Sequence, residues 1–169
     1  MRTLAILLFC TIAFGLQAQK LSKYYKTSKL ENNMIYFIKP FDGFQGVKGN
    51  EEFIYDLTYQ LGEDSLTMNY TYYSPLAMVA DSLVFNFSNK NHSYKTHRLF
   101  IEKDKKDWRH RYTAQVPLEV IKEFYAVENA PVILVLGGDD KMSYDISKHK
   151  WRKFSDIMRQ ILNMISLNE

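Results

Sequence analysis

The sequence predicts a mainly β protein: an antiparallel β-sandwich or open barrel of about eight strands, with a short helix near 117–126 and a C-terminal amphipathic helix packed on the sheet. Three observations carry that expectation. Apolar and polar residues alternate strictly over several stretches, most clearly 51–60 and 64–73. Tyr and Phe are abundant, 12 and 11 in a chain of 169 residues, and both suit a pleated, half-buried surface. Near the C-terminus the period of two gives way to a helical one.

The chain opens with Arg2, an apolar run from Leu4 to Leu16, and a polar stretch containing small Ala18. That is the three-part layout of a secretory signal peptide. The run is shorter than the roughly 20 residues that span a bilayer, so cleavage after Ala18 is expected to leave no transmembrane segment. The expected organisation is a signal peptide at 1–18, a polar lead-in at 19–33, and one β-rich domain at 34–169. The expected location is the periplasm or the extracellular medium. Cys10, the single cysteine, lies inside the apolar run. The processed chain then has no disulfide and no thiolate to serve as nucleophile or ligand, and its own core must hold it together. Of 22 basic residues, Arg2 leaves with the signal; the remaining 21 face 19 acidic ones, a net of +2. So small a charge gives no general argument for nucleic acid or membrane; only a local patch can.

Residues 20–33 are polar and basic, and read as a flexible lead-in or a first turn of helix. "MIYFIK" at 34–39 reads as a strand that ends at Pro40. In 51–60, Phe53, Tyr55, Leu57 and Tyr59 share a face; in 64–73, Leu66, Met68, Tyr70 and Tyr72 do. Period two with one wet face marks antiparallel strands. Gly62 and two acids between them suit a tight hairpin. Further strands are expected at 82–88, 96–103 and 108–116, with turns at "NKNH" and "DKKD". "PVILVLG" at 131–137 is apolar on both faces and is expected to be central; "GGDD" turns the chain into a last strand at 141–147. Pro117 suits a first helical turn, after which Leu118, Ile121, Phe124 and Tyr125 share one face. From Lys148 to Ser166, Trp151, Phe154, Ile157, Met158, Ile161, Leu162 and Ile165 form one stripe, as on a helix laid along its own sheet; the alternative for this pattern is a membrane-surface helix with basic residues.

Motifs that carry chemistry are sparse. There is no G-x-S-x-G, no H-E-x-x-H and no phosphate-cradling glycine loop. His97 and His110 lie on neighbouring expected strands, but a closed zinc site needs further ligands. "GGDD" lacks the ligand spacing of a calcium loop and has the composition of a hairpin turn. Neither metal nor cofactor is therefore expected. Glu51, Glu52, Glu63, Asp64, Asp139 and Asp140 flank turns, and their spacing singles out no acid pair for hydrolysis. The triplets that begin at Asn69, Asn86 and Asn91 match the glycosylation pattern, as polar strand faces do by composition alone.

The basic stretch 103–111 is the one local patch. Alternation sends Trp108 and Tyr112 to one side and Arg109 and Arg111 to the other. Base stacking needs aromatics and cations together, so nucleic acid is not an expected partner. Arg98, Lys103, Lys105, Lys106, Arg109 and Arg111 remain as a patch for an acidic partner: a glycan, a lipid head group or an envelope protein. Glu102, Asp104 and Asp107 in the same stretch offset it. The function expected is that of an exported, non-enzymatic binding or accessory module. Two alternatives stand beside it. One is a carrier of an apolar, lipid-like ligand in a cavity between sheet and last helix, lined by Met34, Met68, Met78 and Met142. The other is a hydrolase whose site assembles from distant residues.

Overall fold

The computed structural model describes residues 21–30, 33–47 and 51–168; the signal peptide expected at 1–18 lies outside them. The described chain forms nine strands and two helices. They are β1 (Tyr25–Leu30), β2 (Asn33–Gly46), β3 (Glu52–Gln60), β4 (Ser65–Ser74), β5 (Ser82–Phe87), β6 (Lys90–Asp104), β7 (Asp107–Pro117), α1 (Leu118–Ala126), β8 (Val132–Gly137), β9 (Asp140–Asp145) and α2 (Lys148–Ser166). The sheet order is β1-β2-β3-β4-β7-β6-β5-β8-β9, every neighbour antiparallel, and β9 returns to pair with β2. β2 to β9 thus make a closed eight-stranded barrel, with β1 as an extra strand. Closure removes the free edges that an open sheet exposes.

Alternation builds the interior. Phe53, Tyr55, Leu57 and Tyr59 of β3 point inward, and opposite them on β4 stand Leu66, Met68, Tyr70 and Tyr72; all eight are buried. Register sets Tyr70 against Tyr112 and Tyr72 against His110, while large Met68 faces small Ala114. Alternating large and small residues is how a barrel of this strand number fills its lumen with side chains. Trp108 keeps the inward parity of β7 but stands at the strand's first turn, half-buried, with the Lys103 ammonium 5.2 Å from its ring centroid.

Three elements depart from the sequence expectation. β6 starts at Lys90, inside the stretch read as a turn, and pairs with β5 over Lys90–Lys95 before the strand expected at 96–103. β1 is a strand where a lead-in was expected; it is polar because it is an edge, with all but Tyr25 exposed. β2 does not end at Pro40. Its register against β3 jumps between Ile38 and Phe41 and again between Phe41 and Phe44, each time using three residues against two. These are β-bulges, where a proline without N–H is tolerated. They bring Ile38, Phe41 and Phe44 all inward, 1–3% exposed, although they are spaced by three.

The bulges bend β2 so that its lower half pairs with β1 and its upper end, at Gln45 and Gly46, pairs with β9. Between β1 and β9 the wall is open, and α2 fills it. Ser147 caps α2, its hydroxyl accepting from the Lys150 N–H at 3.4 Å. The Phe154 ring meets Phe41 edge-on at 5.0 Å and sits where a Cβ on Gly43 would collide with it. Trp151 stacks on Tyr125 at 5.6 Å, meets Phe44 and Phe124 edge-on, and donates its indole N–H to the Val127 carbonyl at 3.0 Å. Near the other end of the helix the Tyr25 hydroxyl reaches the Met164 sulfur at 3.0 Å. α1 crosses the same end of the barrel on its way from β7 to β8. It sets Phe124 against Phe85 and Phe87 and the Tyr125 hydroxyl 2.5 Å from that of Tyr55.

Trp151 joins both helices to the wall, so its truncation opens the largest hole. Trp151→Ala is expected to lower the unfolding free energy by about 3–5 kcal/mol. Trp151→Phe, which keeps an aromatic ring but loses the bond to Val127, should cost only about 1–2 kcal/mol. Urea denaturation followed by circular dichroism measures both; similar losses in the two variants would contradict the packing role.

Candidate functional site

The two ends of the barrel differ. The end that carries α1 and α2 is filled. The other end, the mouth, is crossed by the β4–β5 connection, residues 75–81. Its second half alternates: Met78 and Ala80 point into the protein and Val79 stands 52% exposed, while Leu76, before the alternation begins, is 69% exposed. Its backbone is bound to the wall. The Ala80 N–H donates to the Tyr112 hydroxyl at 2.9 Å, the Thr96 hydroxyl to the Ala80 carbonyl at 3.1 Å, and the Asp81 N–H to the Leu136 carbonyl at 2.7 Å. Gly137 permits this approach, because a Cβ there would meet the Val79 carbonyl oxygen.

His110 supplies the polar anchor under the loop. It is fully buried, lies parallel to the Tyr72 ring at 4.5 Å, and places Nε2 3.1 Å from the Leu76 carbonyl oxygen. A carbonyl only accepts, so Nε2 carries the proton. Burial holds the imidazole's pKa below its ordinary 6.5, partly offset by the Leu76 and Met78 carbonyls. The ring is therefore neutral near pH 7 and Nδ1 is a bare acceptor, with no partner in the described residues. Around it lie phenols kept protonated. Burial and then the neighbouring tyrosines push the Tyr72 pKa far above 10, and burial raises that of Tyr70. Tyr70 approaches Thr96 and Tyr72 approaches Tyr112, yet neither hydroxyl reaches hydrogen-bond geometry. The layer beneath the mouth thus holds three buried polar groups without hydrogen-bond partners among the described residues.

Outside this layer the mouth opens into a cavity of about 580 Å³. Val47, Pro75, Leu76, Met78 and Met142 give it an apolar lining; Glu51, Asp140 and Lys141 give it charge. Burial first, then the Glu51 carboxylate, raises the Tyr144 phenol far above its ordinary pKa, which places Glu51 against the inner layer. A second hollow shares Glu51, Ser74 and Pro75 and adds Glu52, Tyr73, Lys106 and Asp107. Four acids and two lysines line the two hollows together, so the mouth is apolar with an acidic rim.

The residues singled out from the sequence are dispersed. Arg111 bridges three strands on the outer wall, 2.6 Å from Asp56 and 2.9 Å from the Thr71 hydroxyl, with Asn69 also donating to Asp56. Arg109 pairs with Glu102 and lies over the Phe100 ring. Lys103 donates to the Lys106 carbonyl at the hairpin tip. Lys105 and Lys106 are exposed there, and Arg98 is exposed farther along β6. His97 faces Thr113 and His110 faces Ile101, so the two histidines are not opposed. Among the described residues no three His, Cys, Asp or Glu side chains gather to hold a metal. Of the acids considered, Glu51 and Asp140 share the mouth cavity, while Glu63 and Asp64 lie at the opposite end beside α1. Met78 and Met142 line the mouth, Met68 is buried in the lumen, and Met34 is exposed. The four methionines do not share one cavity, and α2's own stripe fills the space under it. Alternation identifies His110 as inward; its partner, a backbone carbonyl thirty-four positions away, leaves no mark in the sequence.

No helix among the described residues is long and apolar enough to cross a membrane. No family model, curated protein or solved structure matches the chain.

His110 makes stability depend on pH with a defined sign. Its folded pKa is below the unfolded value of about 6.5, so the unfolded chain binds the proton first as pH falls. Its contribution is complete above about pH 6.5 and is lost as pH drops toward the folded value. Melting temperature is expected to fall between about pH 7.5 and pH 5, and His110→Gln, which can still donate to Leu76, should flatten that slope. An unchanged slope in the variant would assign the dependence to other groups.

Proposed function

We propose that this chain is an exported, non-enzymatic binding module of the bacterial envelope or secretome, and that its site is the mouth of the barrel. The observation that carries the reading is the cavity of about 580 Å³ with an apolar lining and an acidic rim. Its volume falls in the range of small-molecule sites, roughly 300–1,000 Å³, which are mainly apolar with a few polar groups to orient the ligand. Leu76, 69% exposed, and Val47, 62% exposed, are large apolar residues held open to solvent at this rim. Isolated exposed residues need no explanation, but these two border one hollow. The ligand that fits is amphipathic: an apolar body against Met78 and Met142, and a neutral or cationic, hydrogen-bonding head toward Glu51 and Asp140. This keeps the carrier reading in a different place, at the mouth and not beneath α2.

The hydrolase reading draws on the same two acids, Glu51 and Asp140, and one set of variants separates it from binding. N-phenyl-1-naphthylamine, a neutral amphipathic fluorophore, is expected to bind saturably with micromolar affinity. Met142→Glu should weaken it about tenfold or more by placing a charge in the apolar lining. Glu51→Gln and Asp140→Asn should leave most of the binding intact. Absence of saturable fluorescence, or equal affinity in Met142→Glu, would sink the proposal. Turnover of glycoside or ester substrates that disappears in Glu51→Gln would replace it with the hydrolase.

A further inference from the structure

Charge on α2 is distributed against the helix's own interest. Residues 148–159 carry Lys148, Lys150, Arg152, Lys153 and Arg159 against Asp156 alone, five cations to one acid and so a net of +4. The whole chain has a net charge of +3, so all other residues together sum to −1. From Gln160 to Asn168 there is no charged residue. The first turn of α2 has no acid and its last turn no base. The macrodipole favours the reverse, because cations repel the positive N-terminal end and stabilise the C-terminal one. The five cations are all exposed. Arg159 pairs with Asp156, and Lys148, Lys150, Arg152 and Lys153 have no ion-pair partner among the described residues. Glu128 lines a hollow with Lys148 and Arg152 without pairing with either. The placement therefore destabilises the element that carries it and leaves four cations unpaired among the described residues, as local rules are broken at functional surfaces.

We propose that the solvent face of α2 docks the protein on an anionic phospholipid bilayer. The chemistry of the face selects this partner. Trp151 is buried in the core and Phe154 packs on Phe41, so no aromatic stands beside the cations to stack a base. Lysine outnumbers arginine, and mobile ammonium groups suit a diffuse anionic surface more than the fixed fork of one phosphate site. Just beyond the uncharged turns Leu167 is 88% exposed. A bilayer offers both what the cations need, a plane of phosphates, and what an exposed leucine needs, an apolar depth beneath. α2 keeps its apolar stripe in the core and presents only its basic side, so the attachment is electrostatic and reversible by salt.

All eleven elements described lie within residues 25–166; the processed chain that the proposed function implies, residues 19–169, is the protein to test, without the apolar run that would enter any vesicle. Co-sedimentation is measured with vesicles of pure phosphatidylcholine and with vesicles about one third phosphatidylglycerol, at about 50 and 300 mM salt. Binding to the anionic vesicles is expected to exceed that to neutral ones by about tenfold or more at low salt, and to vanish at high salt. Lys150→Gln, Arg152→Gln and Lys153→Gln together should lower anionic-vesicle affinity roughly 100-fold. The same variant should melt at an equal or higher temperature, because the removed charges oppose the helix dipole. Equal binding to both vesicle types, unaltered binding by the triple variant, or binding to soluble heparin but not to vesicles would overturn the proposal.

Discussion

The structure depends on one strand having to serve two neighbours along the same edge. β2 pairs with β1 below and with β9 above, and the barrel closes on the two positions Gln45 and Gly46. So short a seam cannot cover the wall beneath it. Two bulges turn the strand, Gly43 clears space for a ring, and α2 lays its apolar stripe into the gap. The indole of Trp151 then ties helix, strand and α1 together in one aromatic cluster. Sheet closure and helix packing are one event: neither is complete without the other.

Much of this is written in the period of the sequence. The inward faces of β3 and β4 and the stripe of α2 follow from alternation and helical spacing, because one buried face forces one pattern. The pattern fails where geometry changes its period. "FDGFQG" carries its buried aromatics three apart, which only a bulged strand can bury on one side, so a reading by twos ends the strand at Pro40. β1 has almost nothing to bury, so it has no pattern to read. An open barrel and a closed one share their periodicity; what distinguishes them is the pairing of Gln45 with Asp145, residues a hundred positions apart.

The mouth was the least legible part for the same reason. Val47, Leu76 and Met142 belong to three separate connections or strands, and only closure collects them. The loop over the mouth is held chiefly through backbone groups, the carbonyl of Leu76 among them, and backbone groups are common to every residue. The basic hairpin, conspicuous in the sequence, is largely occupied within the barrel wall: Arg111 with Asp56 of β3, Arg109 with Glu102, Lys103 with its own turn. Four of the five cations of α2, less conspicuous beside an apolar stripe, have no such engagement among the described residues. Conspicuous charge in a sequence and available charge on a surface are different quantities, and ion pairing across strands converts one into the other.

The contact between Tyr25 and Met164 joins the first strand of the fold to its last helix. The start and the finish of the domain therefore meet on one side of the molecule, and the final nineteen-residue helix is the wedge on which wall closure waits. The contact between Tyr25 and Met164 spans 139 positions of sequence, and pairings of such long range are the slow ones to form when a chain folds.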